Sequence, residues 1–397
     1  MAPAADRIGA GRDALLIGPD FLLAGAGGAS QNRSYPKPDP ERGVPILLFT
    51  TRDGLSSLPR TLDHFARLLQ PADLRMIAVD NGSSDGSGQL LRRWSLRLPL
   101  TVLDCPHRGK NHAINHALDR LGPELAAAEL VIVTDDDILP RPDWVVRLLE
   151  AARAQPQADL FGGVIEPAWP HQPPDWLMAL EDSFPILFAA NSHTGGPCTS
   201  HDIYGPNMAI RGRVLAAGAR FNPSIGPDGT RRYGMGSESE LLRRLERAGH
   251  RAWFCAEAIV GHQVEPVQMT PESVLARAFR YGWGLAMMDR QARGLLSLAG
   301  PALRRLVVRE LKALAAELPF WSARRLRMRF HRDLRRGYLQ ALLRAPALAP
   351  TTRSIQPAWR AIVGGPAGLV VANSPGWPSA ESVATAHSRD DPAPGRR

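Results

Sequence analysis

Residues 130–140 run Leu130-Val131-Ile132-Val133-Thr134-Asp135-Asp136-Asp137-Ile138-Leu139-Pro140, four apolar residues followed almost at once by three carboxylates. The apolar part has the length and composition of a strand buried on both faces. Three adjacent carboxylates repel one another, so their placement at the end of such a strand costs stability unless a cation offsets the charge. Hard divalent ions such as Mg²⁺ or Mn²⁺ bind through one or two carboxylates together with substrate phosphates. In an extended segment Asp135 and Asp137 share a face and Asp136 points away, which leaves Asp135 and Asp137 to face a ligand. A solvated acidic turn is the competing reading.

Three more apolar runs of similar length precede this one: Ile46 to Phe49, Met76 to Val79 and Leu100 to Leu103. Amphipathic stretches separate them, and one places Leu62, Phe65, Ala66 and Leu69 at i, i+3, i+4, i+7. This alternation predicts βα units on a mainly parallel sheet. In such sheets ligands sit at the carboxyl ends of the strands. The loops of interest are therefore Thr50 to Ser57, Asp80 to Ser87, Cys105 to Asn111 and Thr134 to Pro140.

The 397 residues suffice for one large domain or two ordinary ones. Three widely spaced cysteines fit neither a disulfide framework nor a structural zinc site, and point to a reducing cytoplasm. No signal peptide is read at the N-terminus, and no stretch reaches the roughly 20 apolar residues of a membrane span. The formal charge of +9 calls for an anionic partner: nucleic acid, a phospholipid surface or a diphosphate. Fourteen Lys/Arg against three acids fall in residues 290–344, leaving the remainder slightly acidic. Residues 1–42 and 349–397, rich in small residues and proline, are expected to be mobile.

Several residues outside the acidic run carry possible chemistry. Asp80 ends the second strand and opens a turn of Asn, Gly and Ser; it can serve that turn alone or accept hydrogen bonds from a base or ribose. Gly109-Lys110 precedes a helix, so Lys110 and nearby amides can face a diphosphate. Ser237 and Glu240 match a capping box, which leaves Glu238 unexplained by capping. Glu238 lies at helical spacing with Leu241, Leu242 and Leu245, so a carboxylate heads an apolar face and is read as pocket-facing.

Taken in order, Phe49-Thr50-Thr51-Arg52, Val79-Asp80-Asn81-Gly82-Ser83-Ser84-Asp85-Gly86, Gly109-Lys110 with Asn115, Val133-Thr134-Asp135-Asp136-Asp137, Tyr204-Gly205-Pro206-Asn207-Met208-Ala209-Ile210-Arg211, Gly236-Ser237-Glu238-Ser239-Glu240 and Val260-Gly261-His262 resemble the family 2 glycosyltransferases of GT-A fold. The resemblance covers residues 44 to about 290. It implies a Rossmann-like α/β domain at 43–290, with a nucleotide-binding half at 43–140 and an acceptor half at 141–290. It further implies donor contacts from Thr50, Arg52, Asp80, Lys110, Asp135 and Asn207, and a divalent metal (Mn or Mg) at Asp137 and Asp135. His262 falls where some relatives supply another metal or diphosphate contact, although a His after an apolar strand is also an ordinary structural residue. Relatives usually have Glu-Asp where this chain has Ser237-Glu238, so Glu238 stands at the position of the catalytic base with one extra methylene. The reaction implied is inverting transfer of one sugar from a nucleotide-sugar, UDP-linked by family expectation, to a hydroxyl acceptor. The Arg-Trp motif and membrane spans of processive members are not found in this sequence.

On the acceptor side, Trp169, Trp176, Phe184 and Phe188 read as packing around an insertion, with Trp176 a candidate for stacking on a sugar. Residues 291–348 read as two basic amphipathic helices, Leu303 to Leu318 and Arg324 to Leu343, with Phe320, Trp321 and Phe330 nearby. Such helices suit an anionic membrane surface, at the inner face of the membrane of a cytoplasmic protein with a lipid-linked acceptor. Two rival functions stay open on residues alone: a nucleotidyltransferase on a similar sheet, and a basic nucleic-acid-binding protein. The second leaves the carboxylates without a role, and no nucleic-acid partner is expected.

Overall fold

In the computed structural model, which describes residues 43–69, 73–230, 233–293 and 323–344, the four apolar runs become strands within two residues of their expected bounds. They are β1 (Ile46–Thr51), β2 (Arg75–Asp80), β3 (Leu100–Asp104) and β4 (Val131–Thr134). Helices α1 (Leu58–Phe65), α2 (Ser87–Trp94), α3 (Lys110–Leu121) and the short α4 (Glu124–Ala127) connect them. The four strands lie side by side in the order β3-β2-β1-β4, all parallel, with Thr51 opposite Asp80 and Phe49 opposite Thr134. Their carboxyl ends therefore form one rim. Helix α1 starts earlier than its apolar spacing suggested and ends at Phe65, which leaves Leu69 39% exposed.

The second half departs from a mainly parallel sheet. Strands β5 (Ile138–Pro140), β6 (Ala158–Ala168), β7 (Gly196–Cys198), β8 (Met208–Ile210) and β9 (Arg251–Gln263) extend it to β3-β2-β1-β4-β8-β6-β9-β5, with β7 also on β9. Strand β8 runs antiparallel to β4 and β6, β5 and β7 run antiparallel to β9, and β6 and β9 pair in parallel. Three of these strands have only three residues, too few to show a period. Helices α5 (Trp144–Ala154), α6 (Asp175–Met178), α7 (Phe184–Phe188), α8 (Gly212–Ala216) and α9 (Ser237–Arg247) flank this half.

Alternation along each strand feeds two cores. Leu47, Phe49, Met76, Ala78 and Ile132 face α1, α2 and α5, packing on Phe65, Leu91 and Trp144. Ile46, Leu48, Ile77, Val79, Val131 and Val133 face the other side, against Ile114 and Leu118 of α3 and Leu241, Leu242 and Leu245 of α9. Burying one such side chain contributes about 1.5–3 kcal/mol, so the rim is braced from both sides.

The chain then enters α10 (Pro271–Arg293), which crosses the expected boundary at residue 290, and later α11 (Ala323–Arg344), within a residue of the second basic helix expected. The two cross with backbones in contact: a Cβ at Gly282 would lie 1.7 Å from the Leu334 carbonyl oxygen. Leu326 and Phe330 of α11 are buried with Leu177, Phe184, Phe188, Val274 and Ala278, while Ala341 and Leu342 pack with Ile225, Met287 and Met288. The apolar side of α11 thus covers the domain and is not free for lipid. The other expected basic helix, Leu303 to Leu318, lies outside the described residues, as do Phe320, Trp321 and the terminal segments 1–42 and 349–397. Among the described residues no helix is long and apolar enough to cross a membrane.

Candidate active site

The acidic run follows β4 at the rim, and its three carboxylates diverge. Asp136 turns back to accept a hydrogen bond from the Thr51 hydroxyl at the end of β1, and its carbonyl accepts from Thr61 Oγ1 at 2.9 Å. Burial and the neighbouring Asp137 push its carboxyl up to about 7. Asp136 is a tether between the loop and the sheet, while Asp135 and Asp137 line the cavity, in a turn and not in the extended segment expected.

Strand β5 explains why Asp137 meets a histidine. Ile138 pairs with His262 across the antiparallel β5–β9 ladder, and the Gln263 amide donates to the Asp137 carbonyl at 2.8 Å. Asp137 Oδ2 then lies 3.3 Å from His262 Nε2. His262 Nδ1 is 2.6 Å from the Phe188 carbonyl in α7; because a carbonyl only accepts, Nδ1 is the protonated nitrogen and Nε2 is left to the cavity. Asp135, Asp137 and His262 each offer a ligand atom, all within 4.8 Å of one another. Burial works against ionised Asp137, but His262 together with Lys110 and Arg277 outweighs it and lowers the carboxyl from its ordinary value.

Lys110 is the first residue of α3, and its ammonium bridges two carboxylates: Asp135 Oδ1 at 2.5 Å and Glu238 Oε1 at 2.8 Å. Burial opposes its charge, yet Asp135 and then Glu238 raise its pKa well above the usual lysine range. Glu238 is likewise penalised by burial, and Lys110 pulls its carboxyl below the ordinary value. The Lys110 amide donates to the Pro227 carbonyl at 2.9 Å and the Gly109 amide to Asn81 Oδ1 at 2.8 Å, so neither is free to bind an anion. This corrects the picture of a helix N-terminus presenting those amides.

Glu238 enters from α9, and the expected capping box is not formed. Gly236, with φ of 110°, caps the helix without a side-chain bond; Glu240 is buried and binds Arg244 Nε at 2.7 Å. Glu238 is thereby free to reach Lys110. A Cβ at Gly205 would fall 2.6 Å from Glu238 Oε1, which explains the glycine in Tyr204-Gly205-Pro206-Asn207.

Lys110, Asp135, Asp137, Glu238 and His262 line one cavity of ≈ 240 Å³ together with Tyr204, Tyr233, Arg277 and Tyr281. Thr50, Arg52 and Asp80 lie at the carboxyl ends of β1 and β2 on the same rim but do not line it. Asp80 Oδ1 accepts the Ser83 amide at 2.9 Å, the turn-forming role open to it, and Arg52 Nη1 donates to the Asn81 carbonyl at 3.4 Å. Asn207 departs from expectation. It is fully buried, accepting from Trp144 Nε1 at 2.9 Å and donating to the carbonyls of Val164 at 2.9 Å and Ala258 at 2.8 Å. It ties α5 to two strands and does not line the cavity. Trp169 packs edge-on against Phe188, centroids 4.9 Å apart, and Trp176 joins the same aromatic cluster away from the cavity, in line with packing.

Arg277, Tyr233 and Tyr281 were not singled out from the sequence. For Arg277 the available signal was an arginine beside Val274 and Ala278, both buried, on one face of α10. The tyrosines carry no such mark.

Residues 48–215 match the family described as "Glycosyl transferase family 2". The glucosyl-dolichyl phosphate glucuronosyltransferase of Haloferax volcanii is 23% identical over 190 residues, 47% of this chain and 59% of that protein, so the match spans about three fifths of that relative's length. The succinoglycan biosynthesis protein ExoM of Rhizobium meliloti is 27% identical over 299 residues, covering 72% of this chain and 89% of that protein. Among solved structures, the mannosyltransferase PcManGT from Pyrobaculum calidifontis, in complex with GDP-Man and Mn²⁺, superposes with a TM-score of 0.51 at 23% identity, over 78% of this chain and 90% of that one. That likeness is one of fold.

Proposed function

Because residues 48–215 match the family 2 glycosyltransferases and two glycosyltransferase-type relatives align with the chain, we propose that it moves one sugar from a nucleoside-diphosphate sugar, UDP-linked by family expectation, to a hydroxyl acceptor with inversion of the anomeric carbon. One observation carries this reading: a carboxylate base, Glu238, shares a single cavity with the ligand set Asp135, Asp137 and His262. A divalent ion, Mn²⁺ or Mg²⁺, fits that set. Asp137 Oδ1 is buried without a hydrogen-bond partner among the described residues, and His262, anchored through Nδ1 on the Phe188 carbonyl, directs Nε2 to Asp137. An ion bound there supplies positive charge to the departing diphosphate.

Glu238 accepts the proton of the acceptor hydroxyl as that oxygen bonds to the anomeric carbon. The bond from that carbon to the diphosphate oxygen breaks, and its electron pair leaves with the nucleoside diphosphate. Lys110 keeps Glu238 ionised and fixes its carboxylate through the 2.8 Å hydrogen bond. Thr50, Arg52 and Asp80, on the adjoining rim, take the nucleoside. Supporting an acceptor in polysaccharide or glycolipid synthesis, one relative is named for glucosyl-dolichyl phosphate and the other for succinoglycan biosynthesis. The arginine-bearing side of α11 rests by charge alone on an anionic membrane carrying such an acceptor.

Glu238→Gln tests the assignment. Release of nucleoside diphosphate from the donor in the presence of acceptor is expected to fall about 10²–10⁴-fold, with donor affinity nearly unchanged. A variant that loses donor binding as well contradicts the role given to Glu238.

A further inference from the structure

Lys110, the cation that the sequence offered to the diphosphate, is held between Asp135 and Glu238, whose two carboxylates already offset its charge. A second cation reaches the same cavity. Arg277, in the second turn of α10, donates from Nε to the Ile186 carbonyl at 3.0 Å. Its terminal nitrogens make no hydrogen bond or ion pair among the described residues. Burial pulls its pKa below the usual arginine value, and Asp137 and Asp135 are among the charges that favour its ionised form. A guanidinium remains protonated even so and presents a planar pair of donors suited to phosphate oxygens.

Its orientation comes from the same element that orients His262. The carbonyls of Ile186 and Phe188, two residues apart in α7, accept from Arg277 Nε and His262 Nδ1 respectively. Five-residue α7 is fixed in turn by Phe184 and Phe188 packing against Val274, Ala278 and Phe330. One short helix therefore aims an arginine and a histidine into the cavity, on the side of the Asp135–Asp137 ligand set.

We propose that Arg277 is a ligand of the donor's diphosphate, closing its terminal nitrogens onto phosphate oxygens beside the Asp137–His262 pair. This rests on the nucleotide-sugar reading of the site. It gives the leaving group a fixed protein charge that stays in place as the bond to the anomeric carbon breaks, while Lys110 serves the base. The interaction is with the phosphate farther from the nucleoside, so a nucleoside monophosphate does not make it.

That difference supplies the test. Uridine and guanosine mono- and diphosphates are titrated calorimetrically, with Mn²⁺ present, into the full chain and into Arg277→Gln and Arg277→Lys. The proposal expects Arg277→Gln to weaken diphosphate binding about 10–100-fold, as loss of a charged hydrogen bond does. Monophosphate binding should stay within about twofold, and Arg277→Lys should recover part of the loss. Equal weakening of mono- and diphosphates would mean that Arg277 only shapes the cavity, and overturns the proposal. Unchanged diphosphate binding overturns it too, and turns attention to a phosphate on the acceptor. If the wild-type chain binds neither diphosphate, the nucleotide reading itself fails.

Discussion

Lys110 shows how one side chain sets the protonation of the proposed base. Glu238 is buried enough that desolvation favours its neutral form, and the ammonium 2.8 Å away reverses that preference. Removing the charge lets burial dominate, so the Glu238 pKa rises. A general base works only when ionised, so activity then sets in at higher pH. For Lys110→Met we expect the acidic limb of the kcat/KM profile to move upward relative to wild type, read from initial rates between pH 4 and 8 in a constant-ionic-strength buffer (about 4 and 8 bracket the ordinary Glu and His values). A limb that stays in place shows that Lys110 does not tune the base. At this scale Asp135 and Asp137 were legible as the pair facing the cavity, although they and Asp136 sit in the turn between β4 and β5 and it is the Thr51 hydrogen bond that draws Asp136 away. Asn207 was not. A position within a motif says nothing of whether an amide faces ligand or core, and here three buried hydrogen bonds decide for the core.

The elements that complete the site are the ones least visible in sequence. β5 has three residues and its pairing partner lies more than a hundred residues away, yet the Ile138–His262 register is what brings Asp137 to its histidine. Helix α7 is equally short and orients both His262 and Arg277 through its carbonyls. Helix α11 was legible as a helix, but periodicity reports only that it has an apolar side, not what covers it. The protein's own aromatic cluster does. Phe330 is fully buried there, so Phe330→Ala is expected to destabilise the fold by about 3–5 kcal/mol, measured from urea unfolding at neutral pH. If α11 instead kept its apolar side for lipid, that substitution would leave the unfolding midpoint in place and weaken binding to anionic vesicles.

Across the whole molecule, the parallel half of the sheet followed directly from strand-length apolar runs separated by amphipathic helices. Its rim holds Thr50, Arg52, Asp80 and Asp135 at successive strand ends, because parallel strands send every carboxyl end to the same edge. The mixed half was hidden: antiparallel insertion of β8 between β4 and β6 depends on long-range pairing that no local pattern announces. The cavity lies where the halves meet, with α3 and the loop after β4 on one side and α9, β9 and α10 on the other. The proposed reaction depends above all on a metal at Asp135, Asp137 and His262 holding a nucleoside diphosphate there. The most direct test is calorimetric titration of UDP and GDP into the protein with Mn²⁺ and again with EDTA, repeated on Asp137→Ala. Binding of one nucleotide that requires Mn²⁺ and is lost in Asp137→Ala is the predicted result; binding that is indifferent to both metal and Asp137 would contradict it.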